Sequence, residues 1–149
     1  MGYLVLLSGT AISWNSRAQK TIAHSSTEAE YMSLSDTCRQ LVWMHSSLKE
    51  LGMPVDAIPL CGDNQGAIFN ASNPVQEKRT KHIDIRFHYI HEKVSDGEVT
   101  LHFVKTDQNP TDMFTKNLTR DNFLRCRSHL GITFKNKCSM QLVSLTLTK

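Results

Sequence analysis

The chain alternates between two spacings of apolar positions, and together they predict a mixed α/β domain. An apolar run over residues 3–7, a turn at Ser8-Gly9-Thr10 and an alternating segment over residues 11–14 predict a β-hairpin. A two-stranded hairpin is only marginally stable by itself, so we expect it to pair with further strands in a larger sheet.

A long helix is predicted to follow, beginning at Ser25 and running to about Leu51. Ser25 and Glu28 have the spacing of a capping box, and no glycine or proline interrupts the segment before Gly52. One face carries five residues at helical spacing, Leu34, Thr37, Leu41, Met44 and Leu48. This face is predicted to pack against the sheet.

Glu30 lies one turn before that face, where the pattern would prefer an apolar residue. Its spacing from Thr27 also fits a capping box. The pattern alone therefore leaves two interpretations open, a helix-capping acid or an acid at the inward edge of the helix.

Shorter elements alternate along the rest of the chain. Residues 55–62 predict a strand, and Pro59 indicates that this strand is irregular or only partly at an edge. Helices are predicted over residues 64–71, 82–94 and 120–130, with a strand over residues 99–104 and a further helical region from about residue 109. Asp63 therefore follows a strand directly, where open α/β sheets place their ligands. Aspartate at this position is also a favoured helix N-cap.

Composition fits one globular domain and narrows its chemistry little. The chain has 149 residues, 40% of them hydrophobic, with 17 basic and 14 acidic side chains and a formal net charge of +3. This small excess permits nucleic-acid binding without arguing for it. No stretch approaches the ~20 apolar residues that span a membrane, so no membrane partner is expected.

The sequence carries no recognisable zinc or dithiol motif. It contains four widely spaced cysteines, Cys38, Cys61, Cys126 and Cys138. They form no CxxC pair, so we interpret them as free intracellular thiols. The spacing of His82, His88 and His91 does not bring them to one helix face, so no zinc site is expected.

Eight short segments occur in an order and spacing that are shared with a known family. They are residues 12–14 (ISW), 20–23 (KTIA), 25–31 (SSTEAEY), 63–68 (DNQGAI), 73–74 (NP), 79–88 (RTKHIDIRFH), 111–116 (TDMFTK) and 130–132 (LGI). The ordered set resembles the ribonuclease H domain of Copia-type (Ty1/Copia) retrotransposon Pol polyproteins. We therefore assign residues 1–132 to a ribonuclease H-like domain and leave residues 133–149 as a C-terminal tail of unknown role.

The resemblance implies an α/β fold of the ribonuclease H type, a mixed five-stranded sheet flanked by helices. In that family four carboxylates hold two Mg²⁺ ions. One is an Asp on the first strand, and the other three match Glu30, Asp63 and Asp112 of this chain. No acidic residue precedes Glu28, so the first strand and its Asp have no counterpart here. We expect them to lie upstream of Gly2.

This departure from the family pattern changes the expected activity. Two hard cations stabilise the attacking and leaving oxygens in phosphodiester hydrolysis, and Mg²⁺ prefers oxygen ligands. The family's first-strand Asp bridges both ions. Without it, we expect weak Mg²⁺ binding and little or no hydrolysis of the RNA strand of an RNA·DNA hybrid. Asp112 without the resemblance would be interpreted as an ordinary first-turn acid.

The resemblance also implies partners and a location. The partners are an RNA·DNA hybrid and the reverse transcriptase portion of the same polyprotein, inside the cell in the cytoplasm, a virus-like particle or the nucleus. Five residues are candidates for contact with nucleic acid, Lys78, Arg79, Lys81, His82 and Arg86. Phosphate contacts would gain affinity mostly through counterion release, whereas the alternative is a solvated basic surface.

Two other functions compete with a ribonuclease H. One is a non-catalytic remnant or connection-type module that keeps the fold and binds nucleic acid or protein. The other is an integrase or transposase, which is disfavoured because the helix that carries Glu30 follows the hairpin. The ribonuclease H and the non-catalytic remnant differ in whether Glu30, Asp63 and Asp112 come within metal-binding distance of one another.

Overall fold

The computed structural model of this chain describes residues 1–19, 22–53, 55–73, 81–131 and 142–147. Within them, the strands are β1 (Gly2–Leu7), β2 (Thr10–Ser16), β3 (Ile58–Gly62), β4 (Val99–Phe103) and β5 (Leu142–Leu147). The α-helices are α1 (Ser26–Glu50), α2 (Gln65–Ser72), α3 (Lys81–Ser95) and α4 (Arg120–His129). Two short 3-10 turns lie between β4 and α4, at Thr106–Gln108 and Pro110–Phe114.

The strands form one mixed sheet in the order β2-β1-β5-β3-β4. Strand β1 pairs antiparallel with β2 and with β5, whereas β3 pairs parallel with β4 and with β5. The prediction of a mixed α/β fold, compatible with the ribonuclease H type, is confirmed.

Strand β5 changes the expected division of the chain. It comes from the segment that we treated as a tail, yet it lies in the middle of the sheet. Its Leu145 pairs with Leu4 of β1 on one side and with Cys61 of β3 on the other. We expected a sheet that lacks one strand, but the described sheet has five. A domain boundary at residue 132 would separate β5 from the other four strands.

The hairpin forms where the sequence predicts it. Strands β1 and β2 are joined by Ser8 and Gly9, which have φ angles of 54° and 74°. Two successive positive φ angles are typical of the two-residue turn whose twist matches the twist of paired strands. Residues of β1 then alternate between the two faces of the sheet, and Leu4, Val5 and Leu6 are all buried.

The α-helices α1, α2 and α3 cover one face of the sheet, and the Pro110–Phe114 turn packs with Leu130 on the other. On one face α1 buries the five residues that its periodicity singled out, which are Leu34, Thr37, Leu41, Met44 and Leu48. The four apolar ones share a core with Val5 of β1 and Leu60 of β3. On the opposite face, Leu4 and Leu6 pack with Leu130, which follows α4. The alternation along β1 thus divides the apolar side chains between two cores.

Pro59 is paired on one side only, which agrees with the prediction of an irregular or partly edge strand. Strand β3 is interior, with β4 and β5 on either side, and Pro59 is paired in register with Thr100 of β4. The pairing between β3 and β5 begins only at Leu60. The missing amide hydrogen of Pro59 therefore removes no bond from the β5 ladder.

Three of the cysteines are buried thiols in the described residues, Cys38, Cys61 and Cys126. Burial raises the pKa of Cys38 to about 12 and that of Cys61 to about 11. Cys138 lies outside the described residues. None of the described helices is long and apolar enough to cross a membrane.

Candidate active site at one end of the sheet

Asp63 follows β3 directly and does not cap the next helix. The N-cap of α2 is Asn64, whose side-chain oxygen accepts a hydrogen bond from the Ala67 amide at 3.0 Å. Asp63 is partly buried, and among the described residues its Oδ1 has no hydrogen-bond partner. Burial raises the pKa of Asp63, against the opposing effects of the Thr106 hydroxyl and the Lys116 charge. The simple capping interpretation of Asp63 is therefore wrong.

Glu30 is not the capping acid of its helix either. The side chain of Ser25 accepts from the Glu28 amide at 3.1 Å, and Glu28 Oε2 accepts from the His24 amide at 2.8 Å. Glu30 lies two residues after Glu28 and is partly buried. It lies close enough to the Met1 ammonium to counteract the lowering of that group's pKa by burial.

The residues that flank Glu30 on α1 lie beside the segment that follows β3. A Cβ at Gly62 would lie 3.2 Å from Leu34 Cδ2, and a Cβ at Gly66 would lie 3.5 Å from Thr27 Cγ2. Glu30 lies between Thr27 and Leu34 on the same helical face, since residues three and four apart are neighbours on a helix. The first two turns of α1 thus lie at the end of the sheet where β3 ends.

Asp112 is held in the Pro110–Phe114 turn by two buried neighbours. Asn109 caps this turn, and its Oδ1 accepts from the Thr111 amide at 3.2 Å and from the Thr111 hydroxyl at 2.9 Å. Asn109 and Thr111 are 1% and 0% exposed. The turn is short and 3-10 in form rather than the start of a longer helix. Asp112 is its first-turn acid, as the pattern predicts.

The same turn docks on the end of the sheet that carries Asp63. A Cβ at Gly2, where β1 begins, would lie 3.3 Å from Phe114 Cβ and 3.0 Å from Thr115 Cγ2. Gly2 is paired with the last residue of β5, and β5 runs parallel to β3. The start of β1 and the end of β3 therefore meet at one end of the sheet.

Asp63, Asp112 and Lys116 form what we call the acid–lysine cluster. Lys116 Nζ lies 2.6 Å from Asp112 Oδ1, with the two side chains 24% and 12% exposed. The Asp112 carboxylate raises the pKa of Asp63, and the Lys116 charge lowers it. Lys116 and Thr106 were not among the residues predicted from sequence to belong to the site. The four-residue spacing of Lys116 from Asp112 was the available signal.

The described carboxylates do not fit a two-metal site as they stand. No group of three His, Cys, Asp or Glu side chains in the described part of the chain is close enough to hold a metal ion. The buried, unpaired Oδ1 of Asp63 would suit a cation, but Asp112 is already bound to Lys116. Glu30, Asp63 and Asp112 thus lie at one end of the sheet without forming a shared cradle.

A groove of about 300 Å³ opens beside Asp112, between the two 3-10 turns and α4. Its lining includes Thr106, Asp107 and Asn109 on one side, and Asn122 and Arg125 of α4 on the other. The groove is polar and carries charges of both signs, so it offers hydrogen bonds to a ligand without a net preference for an anion.

The predicted nucleic-acid contacts remain predictions. Lys78 and Arg79 lie outside the described residues, as do the side chains of Lys81 and His82. The Arg86 side chain is described, and its Nη1 donates to Asp36 Oδ1 and to the Met32 carbonyl oxygen, each at 3.1 Å. Arg86 therefore has a structural role that the sequence did not suggest.

Together the fold and the site define a mixed α/β domain with an acidic end, the arrangement in which open sheets bind ligands. Proteins similar in sequence to this chain are Pol polyproteins of plant transposons. The chain is 40% identical over 131 residues to "Retrovirus-related Pol polyprotein from transposon TNT 1-94" of Nicotiana tabacum, an alignment that covers 88% of this chain and 10% of the relative.

Two further relatives come from Arabidopsis thaliana. The Pol polyprotein from transposon RE1 is 40% identical over 134 residues, covering 89% of this chain and 9% of the relative. The one from transposon RE2 is 39% identical over 133 residues, covering 88% and 9%. This chain therefore spans about a tenth of the length of these relatives. The similarity relates it to one segment of retrotransposon Pol polyproteins.

No protein-family model matches the chain, and no solved structure matches it.

Proposed function

We propose that this chain is a ribonuclease H-like domain of a retrotransposon Pol polyprotein, which acts on the RNA strand of RNA·DNA hybrids with impaired hydrolysis. The observation that carries the proposal is the position of Asp63. Asp63 is partly buried, directly follows a parallel strand and does not cap α2. The charge of Asp112 raises the pKa of the Asp63 carboxyl group. The Pol relatives support the polyprotein context, with the reverse transcriptase portion as the proposed protein partner.

Impairment follows from what surrounds the proposed catalytic acids, Glu30, Asp63 and Asp112. Strand β5 lies between β1 and β3, and residues 142–147 (LVSLTL) contain no acid. Strand β5, which lies beside β3, therefore supplies no carboxylate. The carboxylate of Asp112 already forms an ion pair with Lys116. The proposed cofactor is Mg²⁺, which such oxygen donors prefer, but with weak binding because the donor set is incomplete.

A second candidate is a non-catalytic module that keeps the fold and binds the hybrid. Two observations favour it. Among the described residues the three acids form no shared cradle, and Lys116 neutralises one of them, which is suited to holding the fold without a metal. The two candidates agree on hybrid binding and differ in hydrolysis.

Binding and cleavage should be measured on the same duplexes, an RNA·DNA hybrid and a DNA duplex of equal length. We expect the chain to bind an RNA·DNA hybrid more tightly than a DNA duplex of the same sequence, with affinity that falls as salt rises. With MgCl₂ or MnCl₂ we expect weak cleavage of the RNA strand that is lost in D63N. The matched control is D56N, which removes an exposed acid from the loop before β3. No preference for the hybrid, or cleavage that survives D63N, would contradict the proposal.

A gain-of-function experiment separates the two candidates. Thr146 and Leu147 are the last paired residues of β5, opposite Gly62 and Gly2 respectively. T146D and L147D each add one carboxylate at the end of β5, at neighbouring positions of the strand. We expect one variant to gain Mg²⁺-dependent cleavage and the other to serve as its control. Binding without cleavage in all three proteins would support the non-catalytic module.

A further inference from the structure

Lys116 brings a positive charge into the acidic end of the sheet. Its Nζ lies 2.6 Å from Asp112 Oδ1, and the side chain is only 24% exposed. The Lys116 charge also lowers the pKa of Asp63, against the raising effect of burial. A buried or partly buried carboxylate is costly unless a cation or hydrogen bonds compensate it. Lys116 supplies that compensation within the chain itself.

The backbone holds this lysine in place. The Lys116 amide donates to the Asp112 carbonyl oxygen at 2.9 Å, and the Thr115 amide donates to the same oxygen at 3.1 Å. Asp112 is itself fixed by the buried cap that Asn109 and Thr111 form. Lys116 is therefore bound to Asp112 through both its main chain and its side chain, so the ion pair needs little further ordering.

We propose that Lys116 is the resident cation of the acid–lysine cluster and keeps divalent cations from Asp112. An ammonium group at hydrogen-bond distance occupies the carboxylate oxygen that a metal ion would use. A Mg²⁺ ion with oxygen ligands at about 2.0–2.1 Å would have to displace it and would be repelled by its charge. The inference concerns the ion pair alone and does not depend on the proposed nuclease function.

The test compares K116M with wild type in the absence of nucleic acid. Methionine keeps the length of the aliphatic chain and removes the charge. Mn²⁺ binding is read from its paramagnetic resonance signal, and thermal unfolding is recorded with and without MgCl₂ at constant ionic strength. K105M is the matched control, because Lys105 is exposed and lies before the same pair of 3-10 turns.

We expect K116M to bind Mn²⁺ at least about tenfold more tightly than wild type, since loss of a cation this close to the site removes a strong repulsion. K116M should also unfold at a lower temperature without metal and recover part of the loss with Mg²⁺. K105M and K116R should behave as wild type does. Equal Mn²⁺ affinity in wild type and K116M, or wild type that Mg²⁺ stabilises as much as K116M, would overturn the inference.

The double variant D112N/K116M covers the case in which K116M does not fold. It removes both charges of the pair, so it should fold without metal and should not respond to Mg²⁺. A double variant that fails to fold would assign Lys116 a packing role and overturn the inference. Mn²⁺ binding by K116M without any hybrid cleavage would leave the inference intact while counting against the proposed function.

Discussion

Gly131 joins the end of α4 to the turn of the hairpin in a way that only glycine permits. Its φ is 68°, a conformation that costs L-residues about 1–2 kcal/mol. A Cβ there would overlap the Gly9 carbonyl oxygen and lie 3.1 Å from Thr10 Cα. The contact is reinforced next door, where the Ala11 amide donates to the Leu130 carbonyl oxygen at 3.2 Å.

We predict that G131A lowers the free energy of unfolding by about 2–4 kcal/mol, because backbone strain and a backbone clash act together. Urea unfolding followed by circular dichroism measures it. G97A is the matched control, since Gly97 has a φ of 71° but nothing within 4 Å of a Cβ. It should cost only about 1 kcal/mol. Equal losses in the two variants would mean that the hairpin turn is not a rigid partner for α4.

Between elements, Asp36 of α1 connects two distant segments through charge. Its Oδ2 accepts from Arg17 Nη2 at 2.9 Å, just after β2, and its Oδ1 accepts from Arg86 Nη1 of α3 at 3.1 Å. Asp36 and Arg86 are 16% and 20% exposed, so this pair is less screened than a surface ion pair. A second bond, from Arg86 to the Met32 carbonyl oxygen, adds to the packing of α3 on α1.

We predict that D36N lowers the free energy of unfolding by about 1–2 kcal/mol, since it leaves two arginines near each other without their shared acid.

The variant also tests the predicted nucleic-acid role of Arg86. If Arg86 contacts phosphate, R86A should weaken hybrid binding and reduce its salt dependence, whereas D36N should not. Equal hybrid affinity of wild type and R86A would leave Arg86 with its structural role alone.

The whole molecule depends on a strand that the chain contributes last. Among the described strands, β1 and β2 form one pair and β3 and β4 form another, and β5 is the strand that joins the two pairs. Helix α1 packs across this junction, because it contacts β1, β5 and β3. Without β5, both β1 and β3 would present an unpaired edge to solvent, which favours aggregation.

We predict that a chain that ends at residue 132 does not fold cooperatively and aggregates at micromolar concentration. A chain that ends at residue 147 keeps β5 and is the matched control, with unfolding like that of the full chain. Urea unfolding and size-exclusion chromatography distinguish the two outcomes. A folded, monomeric protein of residues 1–132 would show that the sheet closes without β5 and that the boundary at residue 132 is a true domain end.

The sequence by itself determined the local structure and the positions of the three acids within it. Capping spacing, apolar periodicity and turn residues located the hairpin, the long helix and the strand before Asp63, because these signals act within one or two turns of chain. The same signals left open whether Glu30 and Asp63 cap their helices, and the observed hydrogen bonds assign the capping roles to Ser25 and Asn64 instead.

Only the tertiary structure decided the sheet order, the interior position of β3 and the partner of Asp112. Strand pairing depends on segments more than a hundred residues apart, such as β1 and β5, and no local pattern reports which edge accepts which strand. The charge around a carboxylate likewise depends on what folding brings beside it. For this reason, Lys116 could be recognised in the structure as the partner of Asp112 and not before.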